Sequence, residues 1–154
     1  MAPRDANRIR TLAAMFASLA LFAATKVHAA TYHAQACTIT GTNGPDILFG
    51  TPGRDVICGL GGNDRIDGGG GNDVLIGGPG ADQINGGDGN DVLYGGTGND
   101  KLQGDVGRDT VYGGAGRDTI WAWDGFADRL NGGLGVDHAW KDKLDHVTQV
   151  ERLG

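Results

Sequence analysis

The chain has 154 residues, 30 of them Gly, with 19 acidic and 13 basic residues and a formal net charge of -6; that length holds one domain or a short repeat array and excludes two large domains. Gly at close to one residue in five beside only 4 Pro excludes an ordinary globular composition and a proline-rich linker, and collagen would need Gly at every third position with abundant Pro. Glycine must serve some other period.

Arg4, Arg8 and Arg10 precede an apolar stretch from Leu12 to Ala24, and Val27 and Ala29 offer small residues at the minus-three and minus-one positions of a cleavage site. This arrangement predicts a secretory signal peptide over residues 1–29. About thirteen apolar residues fall short of the roughly 20 that a membrane-spanning helix needs, so no membrane span is expected. Cys37 is too far from the apolar run to carry a lipid anchor, and export as a soluble protein is expected, with periplasm or cell wall as alternative destinations to the medium. Without residues 1–29 the chain keeps 9 basic and 18 acidic residues, about -9, and 17 of those acids are Asp. Such a charge argues against nucleic acid or anionic lipid as partner and for metal cations or basic surfaces.

Residues 30–40 form a short amino-terminal capping segment that ends near Cys37. Cys37 and Cys58 are the only cysteines. In an exported chain they are expected to form a disulfide, closing a loop of about twenty residues at a gain of roughly 3 kcal/mol. No neighbouring base or companion motif supports a reactive thiol instead.

From Gly41 to Trp121 the sequence divides into nine consecutive nine-residue units without insertion, among them GGGGNDVLI, GGDGNDVLY and GGTGNDKLQ. Position one is always Gly. Position four is also Gly throughout: Gly44, Gly53, Gly62, Gly71, Gly80, Gly89, Gly98, Gly107 and Gly116. Position six is Asp in every unit, and position eight is aliphatic: Leu48, Ile57, Ile66, Leu75, Ile84, Leu93, Leu102, Val111 and Ile120. This pattern, GGxGxDxUx with U a large aliphatic, resembles the calcium-binding nonapeptide repeat of the RTX (repeats-in-toxin, hemolysin-type) family of secreted bacterial proteins. The resemblance implies an all-β fold, a parallel β-roll or β-solenoid in which each unit gives a six-residue loop and a short strand. It also implies that Ca²⁺ is held between the loops of successive coils.

The residues make physical sense of that arrangement. Side chains alternate along a strand, so position eight points to the core and positions seven and nine point away. Arg65, Asp67, Gln83, Lys101 and Gln103 at the outward positions suit a solvated face. The loop glycines let the backbone reach dihedrals closed to other residues and turn carbonyls toward one point. Two units per coil put equivalent loops about 4.8 Å apart, so an ion between them sits about 2.4 Å from each, within the Ca²⁺–oxygen range. Mg²⁺ is less suited, with shorter bonds and a strict octahedron, and Zn²⁺ would call for paired His or Cys spacings that are absent.

The expected metal ligands fall in two rows, Asp46, Asp64, Asp82, Asp100 and Asp118 on one edge and Asp55, Asp73, Asp91 and Asp109 on the other. Several Ca²⁺ ions would lie between consecutive carboxylates. One large aliphatic side chain per nine residues makes a thin core, and stacked carboxylates repel by several kcal/mol per pair at an effective dielectric near 20. Calcium would turn that repulsion into ligation, so binding and folding are expected to be one event.

After Trp121 the register slips by one residue at Ala122, so the repeats, which span 41–140, are irregular beyond 121. WDGFADRLN keeps Asp128 and Leu130 in place but lacks the glycines, and GGLGVDHAW has Asp137 in register with Ala139 at the core position. Asp128 and Asp137 complete the candidate metal set. Trp121, Trp123, Phe126 and Trp140 are expected to cover the open end of the solenoid, together with a carboxyl-terminal cap over 141–154 that carries Leu144, Val147, Val150 and Leu153.

The expected function is that of a secreted calcium-binding protein whose β-roll folds on binding Ca²⁺. The alternative is a calcium-stabilised adhesion or glycan-binding module that uses the aromatic end or a flat β face toward a cell-surface glycan or protein. An accessory to a secreted hydrolase ranks below both. No catalytic activity is expected, because every in-register Asp has a ligand role and each glycine match is explained by the repeat. Open sheet edges also allow end-to-end self-association.

Overall fold

The computed structural model describes residues 36–154; the expected signal peptide, 1–29, and residues 30–35 lie outside the described residues. Among the described residues fourteen strands follow in chain order, and none of these residues is helical. The regular ones are β2 (Ile47–Phe49), β3 (Val56–Cys58), β4 (Arg65–Asp67), β5 (Val74–Pro79), β6 (Gln83–Asp88), β7 (Val92–Thr97), β8 (Lys101–Val106), β9 (Thr110–Gly116) and β10 (Thr119–Ala122). They are flanked by β1 (Ile39–Thr40), β11 (Arg129–Gly135), β12 (His138–Lys141), β13 (His146–Thr148) and β14 (Arg152–Leu153). Odd-numbered strands form one seven-stranded sheet and even-numbered strands the other, each in simple succession. All pairings are parallel between a strand and the next but one, as in Ile57↔Leu75 and Ile84↔Leu102. The chain is a β-solenoid whose coil is two units long.

Position eight builds the interior. Ile57, Leu75, Leu93, Val111 and Leu130 align on the odd sheet, Ile66, Ile84, Leu102, Ile120 and Ala139 on the even sheet, and all ten are buried in one cluster. The neighbouring polar positions point outward, as strand alternation requires: Arg65, Gln83, Lys101 and Gln103 are exposed.

Pairing reaches further than a three-residue strand. In β5 to β8 it continues through positions one to three, with Gly78↔Gly96 and Gly87↔Asp105 in register, because the glycine backbones of successive coils approach without side chains between them. Position two needs a positive φ from the third unit on, and there Leu60 (φ 78°) and Asp105 (φ 63°) adopt it without being glycine. Position four is tighter still. A Cβ on Gly98 (φ +131°) would lie 1.7 Å from the Gly80 carbonyl oxygen, whereas one on Gly44 would meet nothing nearer than the Thr42 Oγ1 at 3.8 Å. Gly44 and Gly53 lack the positive φ of the other seven position-four glycines.

The segments expected as caps carry strands of their own. Ile39–Thr40, within the segment 30–40, is itself a strand, paired with β3, and the Cys37–Cys58 disulfide (S–S 2.00 Å) ties Cys37, just before β1, to Cys58, the β3 residue paired with Thr40. Segment 141–154 supplies β13 and β14, each added to its sheet in register. Val147 and Val150 pack against the core, but Leu144 and Leu153 are exposed. The aromatic residues form no lid: Trp121 and Trp140 are cross-strand partners, stacked at 5.5 Å on the outward face of the even sheet, and Trp123 is 79% exposed. Position nine faces outward, which places both indoles on the surface rather than over the core.

Replacement of Gly98 by Ala is expected to lower stability by more than about 2 kcal/mol, through backbone collision and a disfavoured φ, and Gly44→Ala by less than about 1 kcal/mol. Chemical denaturation of the two variants in saturating calcium measures the contrast.

Candidate metal centre

Each position-six Asp immediately precedes a strand; Asp46 is half-buried, and those from Asp55 on lie buried at the turn between the sheets. One carboxylate oxygen is committed to the neighbouring coil. The Asp64 amide donates to Asp82 Oδ1, Asp82 to Asp100, and Asp100 to Asp118, at 2.8 to 2.9 Å. On the opposite edge Asp55 donates to Asp73, Asp73 to Asp91 and Asp91 to Asp109 over the same range. The structure thus brings the carboxylates into the two expected rows, with successive members linked amide to carboxylate.

The second oxygen has no such partner. Oδ2 of Asp64, Asp73, Asp82, Asp91, Asp100, Asp109, Asp118, Asp128 and Asp137 is buried, and no hydrogen-bond donor reaches it. A buried acceptor left unpaired costs about 1 to 3 kcal/mol, and more when it carries charge. Burial accordingly pushes the carboxyls up, to about 6 for Asp82, Asp91 and Asp118 and to about 7 for Asp100, Asp109 and Asp128. The amide bond from the preceding coil opposes this shift, and the other carboxylates of each row reinforce it. Asp73 and Asp137 move the same way for the same reason.

A cation is what such oxygens lack. The donor set is all oxygen, carboxylates beside closely stacked carbonyls, and a Cβ on Gly77 would meet both Asp82 Oδ2 (2.3 Å) and the Gly95 carbonyl oxygen (2.7 Å). Repeated oxygens without nitrogen or sulfur fit a hard ion of flexible coordination, which is the preference of Ca²⁺.

The first two units are different. Thr42 donates its amide and hydroxyl to Asp46 Oδ2 at 2.6 and 2.9 Å, and Thr51 does the same for Asp55 at 2.7 and 2.8 Å. Those bonds hold the Asp55 carboxyl below its usual range. Asp46 and Asp55, also expected as ligands, therefore have Oδ2, the oxygen left unpaired in later members, filled by two donors of their own loop, since Thr replaces Gly at position two; Asp55 Oδ1 in addition accepts the Thr38 hydroxyl at 3.1 Å. Asp128 and Asp137 show the reverse: despite the slipped register each accepts an amide, from Asp109 and Asp118, and keeps an unpaired Oδ2 as interior members do. Ala122 absorbs the extra residue at the end of β10, buried at 3%.

Sequence reasoning missed the next members of both rows. Asp145 accepts the Asp128 amide and Glu151 the Asp137 amide. Their separations of 17 and 14 residues hide them from an eighteen-residue period, although each stands just before a residue of a new strand. It also missed a second ladder, in which the position-five Asn63, Asn72, Asn90 and Asn99 accept the amides of Ala81, Asn90, Arg108 and Arg117 one coil later.

A family model for the RTX calcium-binding nonapeptide repeat matches the chain in four overlapping copies, at residues 40–75, 67–102, 94–126 and 103–139. A search of the curated proteins finds no match.

The raised carboxyls fix a pH dependence. Their protonation in the folded state persists to about pH 6 to 7, against an ordinary value of 3.8, so the metal-free fold holds more protons than the unfolded chain across that window. Its stability is then full below about pH 4 and declines as pH rises through 6 to 7. Calcium-free protein is expected to show more β-sheet circular dichroism at pH 5 than at pH 8; equal spectra would contradict the burial of these groups.

Proposed function

The chain belongs to the RTX calcium-binding nonapeptide repeat family, and from that premise we propose that it is a secreted protein whose β-roll folds when Ca²⁺ is bound between its coils, without catalytic activity of its own. The observation that carries this reading is the file of nine buried Asp Oδ2 atoms that no donor reaches. Asp64, Asp73, Asp82, Asp91, Asp100, Asp109, Asp118, Asp128 and Asp137 would hold the ions, and the adjoining backbone carbonyls would complete their shells. Calcium supplies positive charge to carboxylates that otherwise lack it. The protein supplies the spacing: each coil fixes one carboxylate oxygen by an amide of the coil before it, which aims the other.

Export by an amino-terminal signal fits such a chain. A roll that depends on calcium would stay unfolded where the ion is scarce and set where it is plentiful, with sites of roughly 10⁻⁴ to 10⁻³ M suited to extracellular calcium. A disulfide between Cys37 and Cys58 is compatible with an oxidising destination.

Adhesion is favoured as a second reading by one surface. The outward face of the even sheet forms a shallow groove of about 330 Å³ lined by Arg65, Gln83, Asn85, Lys101, Gln103 and Trp121, a mixture of amides, charges and an indole that suits a glycan. Binding to a glycan array that disappears in Trp121→Ala, while calcium uptake persists, would establish it.

The principal test is a calcium titration followed by circular dichroism and calorimetry. Chelated protein at pH 7.5 is expected to be largely disordered and to gain β structure as ions bind; a spectrum indifferent to chelator would refute the coupling. Asp82→Asn with Asp100→Asn is expected to weaken uptake at least about tenfold in the even row, as two neighbouring charged ligands are lost. Asp46→Asn, whose native carboxylate is already served by Thr42, is expected to change uptake by less than about twofold.

A further inference from the structure

The odd edge changes character after β9. In the regular coils the position-four amide donates to a neutral backbone carbonyl one coil later, Gly80 to Thr97, Gly89 to Val106 and Gly98 to Ala115. Gly107 has no such carbonyl to meet, because the loop one coil on is the glycine-poor segment 123–128. Its amide donates instead to Asp124 Oδ2 at 3.1 Å, and Asp124 Oδ1 accepts the Phe126 amide at 2.9 Å. A carboxylate has taken the place of a carbonyl. The exchange recurs one coil further, where Asp142 Oδ2 accepts the Gly125 amide.

Asp124 does not stand alone. One ligand oxygen from each of Asp109, Asp124 and Asp128 lies within 4.8 Å of the others. Asp109 and Asp128 are 1% and 2% exposed, and each brings a buried Oδ2 that no donor reaches. A cation would pair these oxygens, and the three acids lie where one ion could touch all of them.

We propose that Asp109, Asp124 and Asp128 form a cation site distinct in kind from those of the regular coils, with three carboxylates, and that it is the tightest calcium site of the chain. The inference rests on the reading of the repeats as calcium sites and adds a ligand, Asp124, that lies outside the nonapeptide pattern. Affinity for Ca²⁺ rises with the number of charged ligands, so this site fills first. Its loop also carries Trp123, the chain neighbour of Asp124, which shares a surface depression with it and with Trp121, so an indole adjoins the ligand that the proposal adds.

Terbium, a luminescent substitute for calcium, tests this in the full chain at pH 7.5. Wild-type protein is expected to take up about one ion at a concentration at least about tenfold below the rest, with indole-sensitised emission that Trp123→Phe diminishes while calorimetry still records the uptake. Asp124→Asn is expected to abolish this early phase and keep the later ones, and Asp88→Asn, which removes an exposed charge elsewhere, to keep both. A wild-type titration with one class of equal sites would overturn the proposal without any variant, as would an Asp124→Asn titration indistinguishable from wild type; in either case persistence of the remaining uptake would leave the repeat sites standing. Absence of any ion uptake would remove the underlying reading as well.

Discussion

The rest of the structure depends on a carboxylate held by one oxygen. From Asp64 on, each Asp at the turn takes an amide from the coil before it through Oδ1, and that bond holds the group at its buried place between coils. Burial then leaves Oδ2 in a place where neither water nor a protein donor serves it. The contact that links the coils is thus also the one that leaves an oxygen able to take a cation, so both properties reside in the same row of residues.

The glycines answer to the same contact. Position one leaves room where Asp Oδ2 and a neighbouring carbonyl oxygen converge, and position four lets one coil's backbone lie against the next. The apolar interior, a single column of aliphatic residues from each sheet, fixes register but is thin. Order therefore rests on the turns at the edges more than on the centre, an inversion of the usual relation between loops and core in a globular domain.

Much of this was legible in the sequence. The nine-residue period gave the two sheets, the core column and the membership of both acid rows, since each follows from counting and from strand alternation. Counting fails where spacing changes: Asp145 and Glu151 continue the rows after shorter loops, and the segment expected as a cap proved to hold two further strands. It fails also where chemistry is local. The position-six pattern does not distinguish Asp46 and Asp55 from their successors, yet a Thr four residues earlier gives two donors to Oδ2 of each. Asp124 was invisible for a related reason, because its role arises from the amide of Gly107 one coil away rather than from any neighbour in sequence. The stacked indoles were misplaced because their outward position outweighed their size.

The amide-to-carboxylate links all point one way. Every coil offers its Asp amide forward and finds the acceptor only on the coil that follows, so a partly assembled solenoid always has its unmet donors at the growing carboxyl-terminal face. The Asn ladder runs in the opposite sense, handing acceptors forward to amides yet to arrive. The two ends of the stack are therefore chemically unlike, and an added coil is selected by polarity as well as by shape. A shuffled coil entered backwards would place donor against donor.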